Sequence, residues 1–255
     1  MLRNCFLCFM LAVASISAAS AAEVREYKLN DNAASTTVVE TYGNNGTLNG
    51  GDNTSALQTA GPGGSTTYSF NLDGSADYVT ISGVNFTAGN AFTVSLWFNY
   101  DTINRHVIGE HTVSVNSSIL PSTTTAIVVR TGAGTQTFTV PAMSSGTWYH
   151  LFVTRTTGNS VRLFLNGTES SSGALTLAGT LNATAIGRNT TFYFDGKISR
   201  LRVFNTDESA NVATYYAEGV TSASSVIPQV IISQLPAPQR AWQRFVSLTP
   251  IALVQ

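Results

Sequence analysis

Between Thr66 and Asn205 the chain is cut into short apolar stretches by Gly, Asn, Asp, Ser and Pro, and this punctuation limits the folds open to it. The stretches read "TTYSFNL", "DYVTI", "AFTVSLWFNY", "HVIGEHTVSV", "AIVVRT", "TQTFTVP", "WYHLFVTRT", "SVRLFLNG" and "ISRLRVFN". They are rich in β-branched and aromatic residues, which favour strands, and no long helical period appears before residue 208. In "AFTVSLWFNY", Phe92, Val94, Leu96 and Phe98 share one face while Thr93, Ser95 and Trp97 share the other, the alternation of a half-buried strand. Val161, Leu163 and Leu165 repeat it. "EVREYKLN", from Glu23 to Asn30, reads as a first strand; "YGNNGTLNGGDN" and "AGPGGST" read as turn-rich loops. Many short strands at this spacing predict an all-β sandwich of antiparallel sheets.

One short C-terminal helix is expected. "DESANVATYYAEG" offers an N-cap at Asp207, an acidic first turn and Gly219 as a stop, with Val212, Tyr215 and Tyr216 spaced i, i+3, i+4. After Gly219 the composition shifts: four of the seven prolines lie there, and no acidic residue does. Within this tail, 221–255, "VIPQVIISQL" is an uncharged segment suited to a sheet edge, and "RAWQRFVSL" has the pattern of a short basic amphipathic helix. Residues 225–255 are expected to pack on their own sandwich or on a second copy, which makes self-association an expectation.

The other terminus reads as an address. Residues 1–22 place Arg3 before an apolar run from Cys5 to Ala14, followed by small residues ending Ala19-Ser20-Ala21, the pattern of a cleaved secretory signal. The apolar run is shorter than the roughly 20 residues a membrane-spanning helix needs. Cys5 and Cys8 both lie in this segment, so residues 23–255 have neither a disulfide nor a thiol nucleophile. The whole chain is 43% hydrophobic and only 11% charged, with a formal net charge of −1 and two lysines, Lys28 and Lys197. That is enough apolar matter for a core and too weak a field for phosphate-driven nucleic-acid binding.

Across 23–220 the order "DGSADYVTI", "FTVSLWFNY", "GTWYHLFVTRTTGNSVRLFLNG", "AIGRNTTFYFDGKISRLRVFN" and "YYAEG" resembles the laminin-G-like, concanavalin A-like lectin and glucanase superfamily. The resemblance implies a two-sheet antiparallel jelly-roll sandwich. It makes Ile198, Leu201, Val203 and Phe204 the buried contacts of a late core strand, with Lys197, Arg200 and Arg202 along its solvent side. His150 occupies a position where such domains often carry a packing or hydrogen-bonding histidine.

The functions implied are those of the superfamily: mostly non-catalytic binding of glycans, proteins or cell surfaces, with some glycoside hydrolases and lyases. A retaining glycanase needs two carboxylates about 5 to 5.5 Å apart. The Glu-x-Asp-x-x-Glu pattern of that class is absent, and the pairs Asp73 with Asp77 and Asp207 with Glu208 read as turn and cap residues. His106, Glu110 and His111 do not all face one side of a strand, which argues against a three-ligand metal site. The resemblance also brings calcium into view as a cofactor. Its early loop is matched by "ETYGNNGTLNG", with Glu40, Gly43 and Asn44 as ligands, but Ser199 and Arg200 stand where relatives carry an acidic residue.

Sugar recognition needs aromatic faces and hydrogen-bonding side chains. The candidates are Trp97, Tyr100, Arg105, Arg130, Trp148, Arg188, Phe192 and Tyr193, of which Trp97 and Trp148 read better as sheet packing. The loop "GRNTTFYF" projects best, so Arg188, Asn189 and Tyr193, with Tyr100 and Arg105, are the expected ligand-binding residues. The expected function is a secreted, non-catalytic module that recognises carbohydrate or an extracellular surface in adhesion. The alternative is a structural subunit of an extracellular layer or filament that self-associates through its tail.

Overall fold

A computed structural model describes residues 23–112 and 116–220. The expected secretory leader of residues 1–22 and the tail of residues 221–255, with the sheet-edge and self-association roles expected of it, lie outside the described residues.

The elements begin with β1 (Glu23–Tyr27), β2 (Thr37–Val38), β3 (Gly46–Asn49), the short helix α1 (Thr54–Leu57), β4 (Gln58–Gly61), β5 (Gly64–Asp73) and β6 (Tyr78–Phe86). They continue through β7 (Phe92–Tyr100), β8 (Ile108–Gly109), β9 (Ser118–Thr123), β10 (Ala126–Thr131), β11 (Gly134–Thr139), β12 (Tyr149–Arg155) and β13 (Ser160–Leu165). Last come β14 (Thr168–Glu169), β15 (Leu175–Thr176), β16 (Leu181–Ile186), β17 (Arg188–Asn189), β18 (Phe192–Tyr193), β19 (Asp195–Phe204) and α2 (Val212–Val220).

These strands form two large antiparallel sheets. One runs β14-β13-β12-β7-β19-β5-β4, with β1 also pairing β19 and β15 pairing β13; the other runs β11-β10-β9-β8-β16-β6-β3-β2. The inward rows of both sheets make one apolar core. Phe92, Val94, Leu96 and Phe98 of β7 face Ile108, Ile119, Ile127, Val129 and Ile186 of the opposing sheet within it. The sandwich and its one substantial helix are those expected from the alternating runs.

The alternation of β7 and β12 has a further outcome. Every residue of both strands is buried, outward-facing ones included, so neither is half-exposed. Helix α2 covers their outer face: Tyr216 stacks on Trp97 at 5.6 Å between ring centroids and lies 5.9 Å from His150, while Tyr215 lies 6.0 Å from Phe152 and 5.1 Å from Phe204. Gly219 does not stop this helix, which runs on to Val220. Its role is contact, since a Cβ there would meet the Trp97 indole at 2.1 Å. Asp207 caps the turn before α2, its carboxylate accepting from Ser209 N at 3.0 Å and from the Thr154 hydroxyl at 2.7 Å.

In β19, Ile198, Leu201, Val203 and Phe204 are all buried. The alternation between Ile198 and Leu201 is broken by a bulge opposite Trp97 and Ser95, where Arg200 takes φ +47°. The extra residue returns Leu201 and Val203 to the core and puts Phe204 under α2. Arg200 and Arg202 are not free on a solvent face. Arg202 pairs with Glu23 (3.3 Å), Glu26 (3.1 Å) and Glu218 (2.7 Å), and Arg200 reaches Glu26 and Glu218. These ion pairs tie β1 and α2 to the strand between them.

Candidate functional site

The outer face of the eight-stranded sheet carries a row of small and polar residues. Arg130 is paired with Ser118, Ser118 with Gly109, Gly109 with Ala185, and Ala185 with Thr80. Cross-strand partners share a face, so this row lies opposite the core. The β17–β18 hairpin folds onto it. Gly109 permits the contact: a Cβ there would meet Asn189 Cβ at 2.8 Å and Arg188 O at 2.9 Å. The hairpin turns at Thr190, whose φ of +49° is uncommon for a β-branched residue. Its N–H donates to Glu110 O at 2.9 Å and its carbonyl accepts from Arg188 Nε at 2.5 Å, which holds the turn.

The two faces of the hairpin have separate environments. On one, the Arg188 guanidinium lies 4.4 Å from the Tyr78 ring centroid and 4.8 Å from that of Tyr193, with the two tyrosines edge-on at 6.0 Å. His111 extends this cluster, 6.2 Å from Tyr78, and is fixed by Thr184 Oγ1 at 3.0 Å from its Nδ1. On the other face Asn189 is fully buried, its amide donating to Ser117 O at 3.4 Å, while Phe192 is 42% exposed and covers His106 at 5.7 Å. His106 itself is buried, and its Nδ1 has no hydrogen-bond partner among the described residues; neither has the buried Ser118 Oγ. Burial first, and then the charges of Arg130 and Arg105, push the His106 pKa down to about 4.

The expected ligand-binding residues thus divide. Arg188 and Tyr193 come together in one partly open stack, and Arg105 stands beside His106. Asn189 and Tyr100 are buried and have no surface to offer, because Asn189 faces the sheet and Tyr100 lies in the core behind Phe98. Trp97 is sheet packing under α2, and His150 is a hydrogen-bonded core residue with Nε2 2.9 Å from Ser95 Oγ. Tyr78 and His111 complete the stack without having been singled out for it. The sign in "DYVTI" was that Tyr78 falls on the outward row while Val79 falls inward.

The calcium loop does not fit a cation. Glu40 Oε1 accepts from Glu26 N at 2.8 Å, and Oε2 accepts from Tyr42 N at 3.0 Å and Asn44 N at 2.9 Å, so N–H donors already occupy both oxygens. Gly43 N turns back to Glu40 O at 3.1 Å. Glu40, Gly43 and Asn44 therefore close a loop on themselves and leave no free carboxylate oxygen for calcium. Among the described residues no group of three or more His, Cys, Asp or Glu side chains could hold a metal ion.

The acidic pair near the start of β6 also serves a turn. Asp73 accepts from the backbone N–H groups of Ser75, Ala76 and Asp77 at 2.8–3.0 Å. Burial acts to raise its pKa, but these bonds and the Ser75 hydroxyl outweigh it and hold the carboxyl well below the ordinary range. Asp77 is raised to about 6 by burial and by the charges of Asp73 and Asp52. His106, Glu110 and His111 do not converge, since Glu110 is bonded to Asn182 and the two imidazoles lie against different rings.

Comparison with known proteins returns to the fold. No curated protein sequence matches the chain. Domain 4 of AbnA, a GH43 extracellular arabinanase from Geobacillus stearothermophilus solved with arabinotriose, superposes with a TM-score of 0.51 at 18% identity over 77% of this chain and 98% of that domain. Trypanosoma rangeli sialidase superposes with a TM-score of 0.52 at 10% identity, over 76% of this chain and about a third (32%) of the sialidase. A botulinum neurotoxin type C structure, described by the dependence of cell entry on two ganglioside molecules, gives a TM-score of 0.51 at 13% identity over 77% of this chain and 51% of its own. At such identities these likenesses speak for the fold. The family model described as the concanavalin A-like lectin/glucanases superfamily matches residues 73–211, from the turn before β6 to the turn before α2. The chain belongs to the concanavalin A-like lectin/glucanase superfamily.

Proposed function

We propose that this is a secreted, non-catalytic saccharide-binding module whose binding face is the outer surface of the eight-stranded sheet around the β17–β18 hairpin. The observation that carries the reading is the partly open Tyr78–Arg188–Tyr193 stack beside the exposed ring of Phe192. Sugar rings present C–H faces to aromatic planes and hydroxyls to polar groups, and an aromatic surface held on a rigid sheet spends little entropy in meeting them. The cation–π contacts fix the tyrosines before any ligand arrives. Supporting this reading, one structural neighbour is an arabinanase domain solved with arabinotriose, and another belongs to a toxin whose cell entry depends on gangliosides. Export rests on the signal-like residues 1–22, and adhesion to a glycan-bearing surface would be its use.

A glycan array probed with the purified protein tests the reading. Binding to at least one saccharide class is expected, weakened about ten-fold by Phe192→Ala or Tyr193→Ala, as loss of one ring contact of about 1.4 kcal/mol implies. An array silent at every saccharide, or a signal indifferent to both substitutions, would refute it.

A further inference from the structure

Three arginines gather around the hairpin without a carboxylate. Arg162, Arg200 and Arg202 each form ion pairs with glutamates, whereas Arg105, Arg130 and Arg188 form none among the described residues. Arg188 is occupied by its two tyrosines. Arg105 and Arg130 remain, both half-buried, and among the described residues Arg105 makes only a long 3.4 Å contact to the Asn104 carbonyl.

Their placement follows from the strands. Asn104 N donates to Pro121 O and Val107 N to Ile119 O, so the segment carrying Arg105 and His106 runs along β9. Arg130 stands on β10, the other neighbour of β9, paired with Ser118 on the outer face. The sequence withholds compensation as well, since no acidic residue occurs between Glu110 and Glu169. Glu110 itself is buried and engaged with Asn182. Both guanidinium groups act on the buried His106, whose ring lies 5.7 Å from that of the 42% exposed Phe192. A guanidinium without a carboxylate partner keeps its fork of N–H donors for an incoming anion.

Resting on the saccharide reading above, we infer that Arg105 and Arg130 bind the anionic substituent of an acidic saccharide, a carboxylate or a sulfate ester, while Phe192 packs on its ring. The planar guanidinium fork matches both groups.

The test measures affinity of the full purified protein for three matched oligosaccharides: a neutral hexose oligomer, its uronic-acid counterpart and its sulfate ester. At least one acidic ligand should bind about ten-fold or more tightly than the neutral one, and Arg105→Gln/Arg130→Gln should erase the difference while neutral binding persists. Raising salt from about 50 mM to about 500 mM should shrink the same preference. Whichever acidic arm binds tighter names the substituent. Equal affinity for all three ligands, or silence toward all three, overturns the inference and leaves the saccharide reading standing; only a glycan array silent at every saccharide overturns both. An acidic preference that survives in the folded double variant places the anion elsewhere and also overturns it. Circular dichroism reports whether that variant folds. If it does not, the single Arg130→Gln variant and the salt titration of the unaltered protein decide by the same criteria.

Discussion

Arg155 shows how much one side chain can organise. It is fully buried, yet none of its partners is a carboxylate: its guanidinium donates to the carbonyls of Asn90, Gly179, Phe86 and Thr87 at 2.6–3.1 Å and lies 4.7 Å from the Phe92 ring centroid. A fixed fork of donors thus closes two loops at one end of the sandwich. The run "WYHLFVTRT" gave no hint of this, because its alternation says which side Arg155 faces and nothing about which carbonyls converge there. Arg155→Met keeps most of the volume and strands those acceptors, so it should cost about 3 kcal/mol or more in denaturant unfolding. A loss below about 1 kcal/mol would mean that water reaches the carbonyls. At the same scale, Asn189 was expected to project and Tyr100 to be accessible. Both are buried because their exposure depends on what the hairpin and the opposing sheet bring over them.

Among elements, α2 and the β17–β18 hairpin do matching work on opposite outer faces. Helix α2 covers the nine-stranded sheet through Tyr215 and Tyr216, and it can sit close only because Gly219 has no Cβ. Gly219→Ala should lift the end of the helix from Trp97, seen as a red shift of tryptophan emission and faster proteolysis near residue 219, with the sandwich core retained. Unchanged emission would show that the helix end slides without losing the stack. The i, i+3, i+4 spacing of Val212, Tyr215 and Tyr216 made this helix and its apolar face readable in advance, whereas "GRNTTFYF" read only as a projecting loop and not as a hairpin folded back on the sheet. Neither segment's own residues specify the sheet face onto which it docks. In β19 the basic residues looked solvent-facing by alternation, yet Arg200 and Arg202 meet Glu23, Glu26 and Glu218 from β1 and α2, elements distant in sequence.

For the molecule as a whole, two buried imidazoles set a pH dependence. His106 is pushed down to about 4 by burial and then by Arg130 and Arg105; His150 is pushed down to about 3 by burial and then by Arg202. The unfolded chain protonates these histidines near pH 6.5 and the folded one does not, so it binds more protons and stability falls as pH drops. Their effect is absent well above pH 6.5 and grows below it, until His106 saturates near pH 4 and His150 near pH 3. At pH 5 each costs about 2 kcal/mol relative to pH 7. Asp77 acts in the opposite direction: raised to about 6, it favours the fold more as pH falls from about 6 toward 3.8, and so offsets part of the loss. Denaturant unfolding should therefore show lower stability at pH 5 than at pH 7, with a smaller drop in His150→Gln. A flat profile would mean that the folded protein admits protons at both histidines.

Residue-by-residue alternation and turn chemistry were sufficient for the long strands, their inward rows and the two-sheet class, because the side a strand residue faces is a local property of the pleat; they missed β3 and β4, which pair within stretches read as turn-rich loops, and they overran β8, which is only Ile108–Gly109. Which outward residues are then covered, and which remain as a binding face, depends on where α2 and the hairpin return across the sheets. That choice is made by contacts between distant segments, such as Gly219 with Trp97 and Gly109 with Asn189, which local periodicity does not encode.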